Sequence, residues 1–111
     1  MIEKIIRDYL LNVLDVPVYV DVPADPEGSC VVIERTGGSE TEHIRSATIA
    51  VQSYGPRKTA AAELHEQVLR LLPDIADGVR VSACDLNAEY DYADTQTKRY
   101  RYQAVFDLVY Y

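Results

Sequence analysis

Basic charge is scarce in this 111-residue chain: eleven Lys and Arg stand against eighteen Asp and Glu, for a formal net charge of −7. A nucleic-acid-binding module normally carries a basic excess, and anionic membranes attract basic segments. Both are therefore disfavoured as principal partners. Only two cysteines occur, Cys30 and Cys84, and neither belongs to a C-x-x-C. Both sit in apolar, strand-like runs, so buried free thiols are expected in place of a disulfide or a metal site. No apolar run approaches the roughly 18 residues of a membrane span. The charge-bearing N-terminus lacks the uninterrupted apolar stretch of a secretory signal. Synthesis in a reducing, intracellular compartment is expected.

Chemistry-bearing motifs are equally sparse. The two histidines, His43 and His65, have no H-x-x-x-H and no acidic neighbour at ligand spacing, so surface positions are expected for both. No serine lies in G-x-S-x-G. The Gly37-Gly38 pair is followed by neither Lys-Ser/Thr nor a helix start, which removes a phosphate loop. Gly37 to Glu42 reads instead as a polar, flexible hairpin loop. With no converging acid, base and nucleophile, the sequence predicts no enzyme and no cofactor.

What is present is a globular balance, 48% hydrophobic and 26% charged. The length suits a single domain spanning residues 1–111, and a chain of this size buries roughly two-thirds of its unfolded surface. The strongest pattern is Lys98 to Tyr111. Tyr100, Tyr102, Ala104, Phe106, Leu108 and Tyr110 alternate with Arg99, Arg101, Gln103 and Asp107. Strand side chains alternate faces, so one face is apolar and the other largely polar. A turn at Ala93–Thr97 would fold Arg80–Tyr92 against it. Asp91 then meets Arg99, Glu89 meets Arg101, Tyr90 meets Tyr100, Ala88 meets Tyr102, Leu86 meets Ala104 and Cys84 meets Phe106. Asp107 falls opposite Ala83 with no charge partner. Each cross-strand pair contributes about 0.2–1 kcal/mol, enough to choose a register.

Upstream, Ile2, Ile5, Ile6, Tyr9, Leu10, Val13 and Leu14 recur at helical spacing until Pro17. Strands are expected at Val16–Val22, Ser29–Thr36 and His43–Tyr54, with a turn at Pro23–Gly28. A second helix, Arg57–Leu72, carries the stripe Ala61, Leu64, Val68, Leu71 and Leu72. Pro73 and Gly78 close it. The order α-β-β-β-α-β-β predicts an α+β fold: a mostly antiparallel sheet, both helices on one face and a long C-terminal hairpin.

Six of the nine tyrosines lie between Tyr90 and Tyr111, more than one hairpin needs for a core. Tyrosine is enriched at protein interfaces. The candidate interface is therefore Tyr90, Tyr92, Tyr100 and Tyr102, with Arg99 and Arg101 between them. Gly37 and Gly38 join it as a loop that orders on contact. Asp107 joins as an inter-subunit contact, against the plainer reading of a solvated outer face. Lys98, Arg99 and Arg101 form the basic cluster, of which the hairpin register pairs two with acids. Asp91 and Asp94 read as solubilising residues at the hairpin tip.

The chain resembles the tail terminator family of long-tailed phages and prophages of Gram-positive bacteria. The resemblance is carried by Met1–Leu14, by V-P-V-Y-V-D-V-P at Val16–Pro23, by E-R-T-G-G-S at Glu34–Ser39 and by A-T-I-A-V-Q-S-Y at Ala47–Tyr54. D-T-Q-T-K-R-Y-R-Y-Q-A-V-F-D-L-V-Y-Y at Asp94–Tyr111 adds the longest match. It implies a structural virion protein of the tail neck, made in the host cytoplasm, that assembles as a homo-oligomeric, usually hexameric, ring. Such a ring caps the tail tube protein, stops its polymerisation and presents a surface to the head connector, with DNA only passing through the lumen. Two other readings stand beside it: a head-closure or stopper protein of the same neck, and a small dimeric α+β ligand-binding module.

Overall fold

The computed structural model describes residues 1–21, 28–93 and 99–111. Helix α1, Ile2–Val13, buries Ile2, Ile6 and Leu10 along one stripe. Val13, expected on that stripe, is 39% exposed. The helix ends at Leu14, whose extended backbone prepares the approach to Pro17. The next strand is shorter than expected. β1 is Val18–Tyr19 alone, because the chain bends at Val20 and Asp21. It runs parallel to the following strand, with Val18 opposite Val31. Apart from Gly28, the expected Pro23–Gly28 turn lies outside the described residues, as do positions 94–98 of the hairpin tip, Asp94 and Lys98 included.

β2, Cys30–Thr41, and β3, Ile44–Gly55, form a long antiparallel hairpin. The expected flexible loop at Gly37–Glu42 is a correction: Gly37 and Gly38 lie inside β2. The pairing passes from Arg35 opposite Ile49 to Gly37 opposite Thr48, leaving Thr36 as the extra residue of a bulge. At Gly38 the absence of a side chain is required, since a Cβ would stand 2.1 Å from the Arg35 guanidinium and 2.7 Å from the Ser46 carbonyl. The turn is only Glu42 and His43, both left-handed at φ 52° and 69°. A two-residue hairpin loop wants that backbone, but usually from Asn or Gly. Changing His43 to glycine is therefore expected to raise stability by about 1 kcal/mol, read by chemical denaturation, since an L side chain in this region costs about that much.

Helix α2, Lys58–Leu71, continues directly into a 3₁₀ turn, Leu72–Asp77. Pro73 therefore changes the helix type, since proline fits the first turn of a new helix. α2 packs on β3 and β5, while α1 packs on β1 and β2. The Tyr9 hydroxyl ties the two helical regions by donating to the Leu71 carbonyl at 2.8 Å. β4, Val81–Asp91, and β5, Tyr100–Tyr110, complete a five-stranded sheet ordered β1-β2-β3-β5-β4. All pairings but the first are antiparallel. The fold is the expected α+β arrangement. The main apolar core joins Ile6 and Leu10 of α1, Leu64 and Val68 of α2, and Ile33, Ile49 and Phe106 of the sheet, and a smaller one of Cys30, Val32 and Tyr54 lies on the other face.

The terminal hairpin has a different register from the expected one. Asp91 lies opposite Tyr102, Glu89 opposite Ala104, Leu86 opposite Phe106 and Cys84 opposite Leu108. Tyr90 meets Gln103, Ala88 meets Val105, and Asp107 meets Asp85. Shifts between Val81 and Ala83 and between Leu86 and Ala88 insert one extra residue each, Ser82 and Asn87. The acids find other partners. Asp91 reaches Lys58 at 3.6 Å, and Glu89 reaches His65 at 2.7 Å. Helix α2 thus supplies the partners that the expected register drew from β5.

Candidate interaction surface on the open sheet face

Helices cover one face of the sheet. The other is built of cross-strand side-chain contacts. The alternation that puts Ile49 and Val51 of β3 under the helices turns Thr48, Gln52 and Tyr54 to this open face. Near one end Ser39 and Ser46 share a hydrogen bond of 2.8 Å. Thr48 donates to Asp107 at 3.0 Å, and the Asn87 amide donates to the other carboxylate oxygen at 2.7 Å. Asp107, which the sequence left unpaired, is thus held by both neighbouring strands. Gly38, Ser39, Ser46, Thr48, Asp85 and Asp107 line a shallow depression of about 380 Å³.

Farther along the strands the face changes character. Gln52 donates to Gln103 at 2.9 Å, Gln103 donates to the Tyr90 hydroxyl, and Tyr54 donates to Gln52 at 3.4 Å. Arg101 donates to the Tyr92 carbonyl at 2.7 Å and to the Tyr54 hydroxyl at 3.1 Å. Its guanidinium lies 4.1 Å from the Tyr92 ring centre. Arg99 sits 5.2 Å from the Tyr54 ring centre and donates to the Gly28 carbonyl at 2.8 Å. Tyr90 and Tyr92 meet edge to face at 5.8 Å. Such stacks order long side chains before any partner arrives.

The structure thus brings Tyr90, Tyr92, Arg99 and Arg101 together over Tyr54, which is itself buried. It separates the other two candidate tyrosines. Tyr102 turns to the helix side and stacks on His65 at 5.1 Å, and Tyr100 is exposed and paired with Gly55. Gly37 and Gly38 lie toward the opposite end, near Asp107. Tyr54 was findable by alternation from Gln52. Helix periodicity could have found His65 too, since it follows Leu64 and precedes Val68 by three.

His65 corrects an expectation: it is 3% exposed, not on the surface. A carboxylate only accepts, so Nε2–H donates to Glu89, leaving buried Nδ1 without a partner. The cysteines are protonated at neutral pH. Burial pushes the Cys30 thiol up against an opposing pull from Arg99, and burial with nearby Asp85 pushes Cys84 up to about 12. A protonated buried thiol is a poor nucleophile. Among the described residues, no group of three or more His, Cys, Asp or Glu is placed to hold a metal ion, and no helix is long and apolar enough to cross a membrane. The arrangement offers recognition: rigid aromatic and guanidinium groups at one end, carboxylates and hydroxyls at the other. Neither protein-family models nor curated proteins give a match to this chain.

Proposed function

We propose that this chain is a tail terminator: a ring-forming structural protein that caps the tail tube, stops its growth and offers the surface on which the head connector docks. The reading rests on the sequence resemblance, and it is supported above all by a preordered cluster at one end of the helix-free sheet face, in which exposed Tyr90 and Tyr92 and half-buried Arg101 lie over buried Tyr54. Tyr and Arg are the residues most often responsible for binding energy at protein interfaces. The cluster is assigned to contact with the tube or the connector. The acidic end of the same face, Asp85 and Asp107, is assigned to the lumen, where negative charge repels passing DNA phosphates. The reading assigns no catalysis and no cofactor, and it places the protein in the virion neck.

The test uses purified tail tube protein polymerising in vitro, with tube length measured by electron microscopy. Substoichiometric protein is expected to shorten the tubes as its concentration rises and to decorate one end. Unchanged tube length together with binding to purified connector would move the chain to the head-closure class. Binding to neither would remove it from the neck.

A further inference from the structure

We infer that copies of this chain join edge to edge, the β4 edge of one copy extending the sheet of the next at β2. This deepens the ring reading and rests on it. Both outer strands are open among the described residues. β1 covers β2 only at Val31 and Val32, and nothing lies outside β4. The Val31 N–H already points outward, donating to the Pro17 carbonyl at 2.9 Å. Alternation then aims the Arg35 N–H the same way. On the other edge the Tyr92 N–H donates inward to Arg101, so the N–H groups of Glu89 and Asp91 point away from the sheet.

Direction agrees. β2, β3, β5 and β4 alternate in sense, so β2 and β4 run oppositely. A second copy set beside the first in the same orientation therefore brings β4 against β2 as an antiparallel pair, and repeating that step is a head-to-tail contact that closes into a ring. The bulges at Thr36, Ser82 and Asn87 favour closure, because a bulge bends its strand and increases its twist. A long flat edge would instead extend without limit, and only closure removes both edges.

One row of side chains also matches across the two edges. On β4, Asp91 is held by Lys58 and Glu89 by His65, while Asp85 lies on the other face beside Asp107. The uncovered part of β2 carries Arg35, folded along the edge with Nε donating to the Gly37 carbonyl at 3.2 Å. Of the acids there, Glu40 is opposite Arg45, and Glu34 faces the other side of the sheet from Arg35. Leu86 of β4 is 46% exposed. It shares with Arg35 the sheet row through Ile49 and Phe106, so the Arg35 stem of the next copy covers it.

The test is the solution mass by light scattering across a dilution series, for wild type and two variants. Leu86→Arg sets like charge against Arg35, and the pair Arg35→Glu with Leu86→Glu sets two acids together. The wild type is expected to hold one mass of several subunits throughout the dilution series, as a closed ring does. Each variant alone falls toward one subunit, with association at least about ten-fold weaker. Mixed in equal amounts they restore the wild-type mass, because every contact then pairs Arg with Glu. Restoration also shows that both variants are folded. Variants that keep the wild-type mass, or a mixture that stays dissociated, overturn the edge contact and leave the ring. A wild type that remains monomeric yet shortens tubes overturns the contact and leaves the capping function. A stable wild-type dimer overturns both.

Discussion

Truncating Phe106 to alanine is expected to cost about 4 kcal/mol, the largest loss for any single side chain in this fold. Phe106 is wholly buried and heads the group of large, fully enclosed side chains. It lies on β5, between Ile49 of β3 and Leu86 of β4, at the centre of the core that both helices share. The neighbours that bound the cavity are strand residues locked in ladders on both sides, so they relax little, and the residual void adds to the lost transfer energy. A domain of this size holds about 5–15 kcal/mol in total. The melting temperature should therefore fall by about 16–32 °C, since each kcal/mol moves a domain of about 100 residues by about 4–8 °C. Val79→Ala, 91% exposed just before β4, is the control and should cost under about 1 kcal/mol. Equal losses at the two sites would contradict the placement of the core. Calorimetry and urea denaturation on the isolated domain measure both.

The same contrast explains what was legible in the sequence. Alternation in Ala47–Tyr54 and in Tyr100–Tyr110 fixes which side chains go under the helices, because the period of a strand is two whatever its neighbours are. The α1 stripe at Ile2, Ile6 and Leu10 is legible for the corresponding helical reason. Register was not. Pairing Asp91 with Arg99 and Glu89 with Arg101 offers about 0.2–1 kcal/mol per pair, while the bulge at Ser82 seats both Val81 and Cys84 in the core, and burying a valine alone is worth about 1.5–3 kcal/mol. The competing partners, Lys58 and His65, sit on a helix some thirty residues away, where no local count finds them. Two bulged residues, Ser82 and Asn87, each shift the count by one. The glycine pair misled in a related way. Gly37-Gly38 has turn composition, but at Gly38 the small residue is demanded by Arg35 and Ser46 within a strand. The candidate surface was half legible: Tyr90, Tyr92, Arg99 and Arg101 come together as composition suggested. Tyr102 left that group because strand parity puts it on the helix side, where His65 receives it.

Gly55 supplies the second large effect, from a glycine whose backbone needs no special freedom. Its place is the end of β3, three residues before α2 begins. A Cβ there would stand 2.6 Å from the Ala61 backbone nitrogen and 3.1 Å from the Ala60 carbonyl carbon. Both are main-chain atoms of the first helical turn, so no rotamer change relieves the contact and the helix itself must move outward. Gly55→Ala is therefore expected to cost about 2 kcal/mol, an overpacking loss that exceeds the several tenths returned by a stiffer unfolded chain. The displacement should be traceable along α2. Lys58 moves from Asp91, and the His65 ring moves from Tyr102 and Glu89, so the NMR shifts of His65 and Tyr102 should change although both lie well along the chain from the substitution. Gly37→Ala is the matched control. Its Cβ would meet only Thr48, at 3.9 Å, an ordinary contact, and stability should stay within about 0.5 kcal/mol of wild type. If Gly55→Ala proved as mild as Gly37→Ala, α2 would have to sit farther from β3 than described here, and the His65–Glu89 contact that replaces the expected Glu89–Arg101 pair would lose its support.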